Sequence, residues 1–347
     1  MGLRTEGHSF STPSFTTRDG DTNTRELWMT AKRYTMGASA ANPAGVTLLF
    51  THCVGSHKEE WEVVIEILFR LNAGQDPAYQ IREAWSFDRQ NHGDAAILNR
   101  EKLDAQGVSL YEWSAALSAF VKSPYMAGHH MVAIGHSAGS TAWVLTTIGS
   151  FSDDQNLPYV AMIPVESTMV KQSVFESELE ERMSYMDLVV NATKARRDRW
   201  SSRQEAYAYF KKRFPWSMWD DRSIQLLVDH GLCDAPNGQG VQLKCPKEQE
   251  AVSYPDTKPH FEGDTQLGKI SRSVPIHIIW GERIEFIPEY IRDSLSDPSD
   301  GRKAASVTLV EDTGHMVVQE KPDGVAKAIS DILLSLPLPA ARHKPKL

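Results

Sequence analysis

The apolar run His130-Met131-Val132-Ala133-Ile134 leads into Gly135-His136-Ser137-Ala138-Gly139, and the stretch Ser140 to Ile148 that follows is compatible with a helix. A strand joined to a helix through this pentapeptide has few ways to fold. The turn is so sharp that only very small residues fit on either side, and the Ser137 hydroxyl is pushed out above the strand end. Such a strand belongs in a sheet whose helices lie against its faces.

The flanking sequence predicts that sheet. Val46–Thr51 reads as a buried strand, and Lys58–Leu71 then carries Trp61, Val64, Ile65 and Leu68 at helical spacing. Ser56 and Glu59 form a capping box at its start. Ile81–Phe87 is strand-like, and Ser109 with Glu112 caps a helix bearing Trp113, Leu117, Phe120 and Val121. Tyr159–Val165 is a further strand after the turn helix. Alternation of this kind makes a mostly parallel α/β sheet covered by helices on both faces. Residues 9–37 predict a leading antiparallel hairpin.

The alternation breaks after Thr168. Residues 169–268 show helical patches and no buried strand. Ser202 and Glu205 box one helix, with Ala206, Phe210 and Phe214 along a face, and another carries Ile224, Leu227, Val228 and Leu232 and ends at Gly231. The sheet resumes with Val274–Trp280 and Ala305–Val310, and a final helix covers 323–334. The expected organisation is a core at 1–168 and 269–336, a helical cap insertion at 169–268, and a loose tail at 337–347.

Formal net charge is −8 and no long basic stripe is present, which argues against nucleic acid as a partner. Cys53, Cys233 and Cys245 are widely spaced and odd in number, so neither a disulfide framework nor a metal site is expected. No cofactor loop of the G-x-G-x-x-G or Walker kind follows the first strands. Residues 1–6 lack the apolar segment of a secretory signal, Glu6 stands where myristoylation wants Ser or Thr, and no apolar run approaches a membrane span. The chain ends Pro345-Lys346-Leu347, similar to the Ser-Lys-Leu peroxisomal address. This predicts binding to the peroxisomal import receptor and a peroxisomal location, with the cytoplasm as the alternative.

Acyl transfer needs a nucleophile, a base, an orienting acid and an oxyanion hole. Ser137 is the candidate nucleophile. The candidate base is His315, in Thr313-Gly314-His315-Met316 directly after the last strand. The Ala138 amide, next after the serine, and the Val54 amide, on the loop after Val46–Thr51, are the candidate oxyanion donors. Two carboxylates compete for the third position. Glu166 follows Tyr159–Val165 directly, whereas Glu285 lies one step beyond the usual place after Val274–Trp280, which Ile284 occupies. Glu166 is favoured.

Together these residues resemble the α/β-hydrolase superfamily over nearly the whole chain. The resemblance includes Asp88-Arg89-Gln90-Asn91-His92-Gly93-Asp94, similar to the family's D-x-R-x-H-G-x-S loop, and Gly314-His315-Met316 followed by Glu320-Lys321-Pro322. It implies loop-shaping roles for Asp88 and His92. Cys53 stands where a glycine is usual, and Ile284 where an acid is. With its terminal tripeptide the chain resembles peroxisomal fungal hydrolases, such as the yeast peroxisomal lipase and those of the AK-, AF- and ACT-toxin clusters. That resemblance implies a role in making or releasing a fatty-acyl intermediate.

The expected chemistry is cleavage of a carboxylic ester or acyl thioester, including acyl-CoA, through an acyl-serine. The cap would lie over Ser137, its Trp200, Trp216 and Trp219 either contacting an acyl chain or packing within the cap. A lyase or cyclase on the same fold, and a binding protein with a dead site, are the competing expectations.

Overall fold

The structure is a computed structural model that describes the chain except residues 1, 17–19, 21, 152–155, 237, 299–300 and 339–347. The terminal Pro345-Lys346-Leu347 therefore lies outside the described residues.

Eight strands form the central sheet: β1 (Leu3–Ser11), β2 (Trp28–Met36), β3 (Val46–Thr51), β4 (Ile81–Phe87), β5 (His130–His136), β6 (Tyr159–Val165), β7 (Ile276–Gly281) and β8 (Ala304–Val310). Their order is β1-β2-β4-β3-β5-β6-β7-β8. β1 and β2 form the leading hairpin, antiparallel in continuous register from Leu3↔Met36 to Ser11↔Trp28. β2 also runs antiparallel to β4, and the remaining pairs are parallel. The α/β sheet expected from the alternation is the one observed.

Two apolar layers sandwich this sheet. On one face α1 (Glu62–Asn72) and the final helix α8 (Pro322–Ser335) bury Val64, Ile65, Leu68, Val325, Ile329 and Leu333 against Leu48, Phe50 and Ile134. On the other, α2 (Leu110–Val121), α3 (Ala138–Leu145) and α7 (Lys258–Ile270) pack Trp113, Phe120, Trp143 and Leu267 against Trp85 and Phe87. Each such side chain contributes roughly 1.5–3 kcal/mol on full burial, which holds the strand ends that carry the site.

Ser109 and Glu112 form the expected reciprocal capping box of α2. The box at Ser56 and Glu59 does not form: His57 precedes the helical turn and no side chain caps it. Glu59 instead takes the His57 Nδ1 at 3.1 Å and lies 3.1 Å from the Lys58 ammonium. Lys58 also pairs with Asp88 at 2.9 Å, so a buried ionic cluster displaces the local cap.

The segment between β6 and β7 differs from an all-helical reading. It holds helices α4 (Leu179–Ala195), α5 (Arg203–Phe210) and α6 (Asp221–His230), but also a three-stranded antiparallel sheet of Arg199–Trp200, Leu232–Asp234 and Val241–Leu243. Strands of two or three residues are too short to show a two-residue period, so the pattern hid them. Leu232 belongs to that sheet rather than to α6, which stops before Gly231. Trp200, Phe210, Trp219, Ile224 and Leu227 build this segment's own apolar cluster. Its links to the sheet domain include Asp220 N–H to the Gln319 carbonyl (2.9 Å), Gln249 to the Asp104 carbonyl (2.6 Å) and Lys244 to Asp94 (2.5 Å). No described helix is long and apolar enough to cross a membrane.

Candidate active site

β5 ends at His136, and Ser137 turns the chain into α3 with φ +55°. A non-glycine residue in that region costs about 1–3 kcal/mol and persists only where its surroundings impose it. Here Ser137 N–H donates to the Val165 carbonyl at 2.8 Å, which ties the turn to the neighbouring strand. A side chain at Gly135 would meet the Ser140 nitrogen at 2.4 Å, and one at Gly139 the His52 carbonyl at 2.6 Å. The two glycines are therefore required by close approach.

His315 Nε2 lies 3.1 Å from the Ser137 hydroxyl, and its Nδ1 lies 3.1 Å from Glu166 Oε2. A carboxylate only accepts, so Nδ1 carries the hydrogen and Nε2 presents its lone pair to the serine. Burial pulls the His315 pKa below its ordinary 6.5, with Glu166 opposing that shift in part. The imidazole is thus neutral at neutral pH. Phe286 stacks on its ring at 4.5 Å between centroids.

Glu166 is fully buried and, at φ +47°, is held in the same unusual backbone region as Ser137. Its second oxygen accepts from Gly281 N–H (2.6 Å) and the Arg292 guanidinium (3.1 Å). Arg292 also donates to the Gly281 carbonyl at 2.6 Å, locking the end of β7 to Glu166. Glu285 does not bond His315. It takes Arg283 Nε at 2.7 Å and lies against Gly314. Of the two candidate acids, Glu166 is the one that meets the imidazole.

Val54 and Ala138 both line the cavity above Ser137. Ala138 opens α3, so its amide has no acceptor within the helix and faces the N-terminal end of the helix dipole. The Val54 loop is held from behind: Gly55 N–H donates to His92 Nε2 (3.0 Å), and Arg89 N–H to His52 Nε2 (3.1 Å). Asp88 accepts from Thr30 (2.6 Å) and from Lys58 N–H (2.8 Å). Asp88 and His92 thus shape the loop, as the resemblance implies.

Beneath the serine is a group that the sequence reading did not single out. Cys53, Glu60 and His136 converge so that one potential ligand atom from each lies within 4.8 Å of the others, all buried. His136 Nε2 donates to the His315 carbonyl at 2.8 Å, and its Nδ1 stands 3.5 Å from Glu60. Gln319 donates to Glu60 at 2.6 Å. Burial opposes charge on His136, but Cys53 and Glu60 outweigh it and raise its pKa well above 6.5. Burial and Glu60 in turn raise the Cys53 thiol, with His136 opposing that shift. The three side chains thus form a buried polar cluster that joins the elbow to the Val54 loop and to the loop carrying His315. All three cysteines are free.

The cavity encloses roughly 290 Å³ and is mostly apolar, with Val170, Phe175, Met186, Phe261, Ile287 and Ile291 among its walls. Trp200, Trp216 and Trp219 do not line it; they pack within the inserted segment's own cluster. Phe214 and Pro215 of that segment do line it. Phe286, Arg292 and His136 carried no periodic signal, although His136 lies inside the elbow itself.

The model of the "Alpha/beta hydrolase family" matches residues 48–328. Comparison with curated proteins gives no match. Among solved structures, the peroxisomal α/β-hydrolase Lpx1 of Saccharomyces cerevisiae is similar with TM-score 0.72 and 18% identity, over 99% of this chain and 93% of that one. The thioesterase domain of the curacin biosynthetic pathway aligns with TM-score 0.63 and 12% identity, over 96% and 100%. The Mycobacterium tuberculosis esterase Rv0045c aligns with TM-score 0.60 and 17% identity, over 88% and 89%. The family match spans most of the sheet and both loops that carry Ser137 and His315, and this chain belongs to the α/β-hydrolase family.

Proposed function

We propose that the protein is a serine hydrolase that cleaves a carboxylic ester or acyl thioester through an acyl-serine intermediate. The observation that carries this reading is the line Glu166–His315–Ser137, with both hydrogen bonds at 3.1 Å beside an apolar cavity. His315 takes the Ser137 proton as the hydroxyl oxygen attacks the acyl carbonyl. The tetrahedral oxyanion is met by the Val54 and Ala138 amides. Collapse expels the alcohol or thiol, which leaves with the proton from His315. Water, deprotonated by the same imidazole, then attacks the acyl-serine and frees the acid and Ser137. Glu166 steadies the imidazolium formed in each half.

The segment between β6 and β7 acts as a cap over Ser137, with Phe214 and Pro215 against the acyl chain. We place the reaction on a fatty-acyl intermediate in the peroxisome, of the kind handled in fungal toxin biosynthesis. The terminal Pro345-Lys346-Leu347, read by the import receptor, and the likeness to Lpx1 support that location.

The test is incubation with an ester and acyl-CoA panel, followed by intact-mass and peptide mass spectrometry. An acyl adduct on Ser137 that water discharges is the expected result. Turnover that persists unchanged in Ser137→Ala would refute the mechanism.

A further inference from the structure

Only two acidic or basic side chains other than histidine line the cavity among the described residues, Glu285 and Arg182. Glu285 is paired with Arg283 at 2.7 Å, which also binds Glu320 at 2.6 Å. Arg182, on α4, is only 8% exposed, and no acidic side chain among the described residues comes within 4.0 Å of its guanidinium. Its Nε is buried without a hydrogen-bond partner, and the neighbouring Tyr290 hydroxyl is the polar group the guanidinium interacts with. The guanidinium otherwise lies over the Tyr185 ring, 5.6 Å from its centroid.

A guanidinium in an apolar wall with no acid in contact is costly unless a ligand pairs with it, and an apolar acyl tunnel gains nothing from one. A guanidinium offers a planar fork suited to a carboxylate, which it binds through two parallel hydrogen bonds. The position is also connected to the chemistry. Tyr185 meets Phe286 at 5.7 Å, and Phe286 stacks on His315 at 4.5 Å. Three aromatic steps thus lead from the cation to the candidate base, along the wall that an acyl chain would follow.

We propose that Arg182 is an anion-binding subsite, and that the substrate carries a carboxylate at the far end of its acyl chain, as in a monoester or monothioester of a dicarboxylic acid. This rests on the acyl-serine reading and names the substrate class of that site. One buried guanidinium suits a single carboxylate, whereas the several phosphates of a coenzyme A ester would need several cations.

The test compares chain-matched p-nitrophenyl esters, one ending in a methyl group and one in a carboxylate. The wild-type protein is expected to prefer the carboxylate ester by about ten- to a hundred-fold in kcat/KM, as a charged hydrogen-bonded pair contributes. Arg182→Leu is expected to abolish that ratio and Arg182→Lys to restore part of it. Binding of the same two esters to Ser137→Ala, measured by calorimetry, reads the subsite without any chemistry, so a failed acyl-serine mechanism and a failed subsite give different results. Equal affinity of Ser137→Ala for the two esters overturns the proposal, as does a kcat/KM ratio unmoved by Arg182→Leu. A loss confined to acyl-CoA substrates in Arg182→Leu likewise overturns the assignment to a carboxylate.

Discussion

The sheet domain and the segment inserted after β6 solve different problems. Around Ser137 the backbone is held in costly conformations: of the three non-glycine residues with positive φ among the described residues, Ser137 and Glu166 lie in the site. Parallel ladders and two apolar layers pay for them. The inserted segment has a small core of its own, while its Phe175, Met186 and Leu267 join the core of the sheet domain and polar links add to them. At the cavity its Phe175 and Met186 are buried, whereas Phe214 is 74% exposed. On the proposed function, the chemistry would be fixed by the over-determined region and the fit to the substrate adjusted at the exposed Phe214.

Substitutions can break or sharpen that contrast. Ser137→Ala should lower ester turnover by about 10⁴-fold or more while circular dichroism and melting temperature stay near wild type. Glu166→Gln should follow, with a loss of about 10²- to 10⁴-fold, because the amide cannot stabilise the imidazolium. Glu285→Gln should change kcat by less than about tenfold on the same scale. The reverse ranking would move the acid to the end of β7.

The pH profile tests the same carboxylate differently. The folded pKa of His315 is lowered, so the base is active above it and protonated below. Log kcat/KM should fall by about one per pH unit on the acid side of a midpoint under 6.5. In that window the folded state binds fewer protons than the unfolded state, so stability also rises with pH and is lost on acidification. Glu166→Gln removes an influence that raises the pKa, and should carry the limb to still lower pH. A midpoint above 6.5 in the wild type would contradict the burial argument.

The smallest effect is expected in the cap. Phe214→Ala should raise KM for long-chain esters by a few-fold and leave kcat within about twofold, since uniform binding is what it removes. A large fall in kcat would mean that the cap participates in the chemistry.

The same contrast explains what could be read from the sequence. Val46–Thr51, Ile81–Phe87 and Tyr159–Val165 match their observed bounds, since buried parallel strands are continuous apolar runs. The elbow was legible because its glycines answer to sterics within five residues. The choice between Glu166 and Glu285 was not fixed by spacing alone. It depends on where β7 ends and on Arg292, 126 residues beyond Glu166, which no local pattern marks. In the cap the two- and three-residue strands escaped notice, and the tryptophans could be cavity wall or cluster until their neighbours were known. Ser56 and Glu59 satisfied a local rule that long-range ion pairs override.

The hydrogen bond from His136 to the His315 carbonyl has a wider meaning. It makes one residue of β5 the shared mount for the candidate nucleophile and the candidate base, which are 178 positions apart along the chain. Warming or mild denaturant that loosens the cap should therefore blunt discrimination among substrates before it silences the serine. A small electrophile such as a fluorophosphonate would go on marking the protein after turnover of bulky esters had ceased.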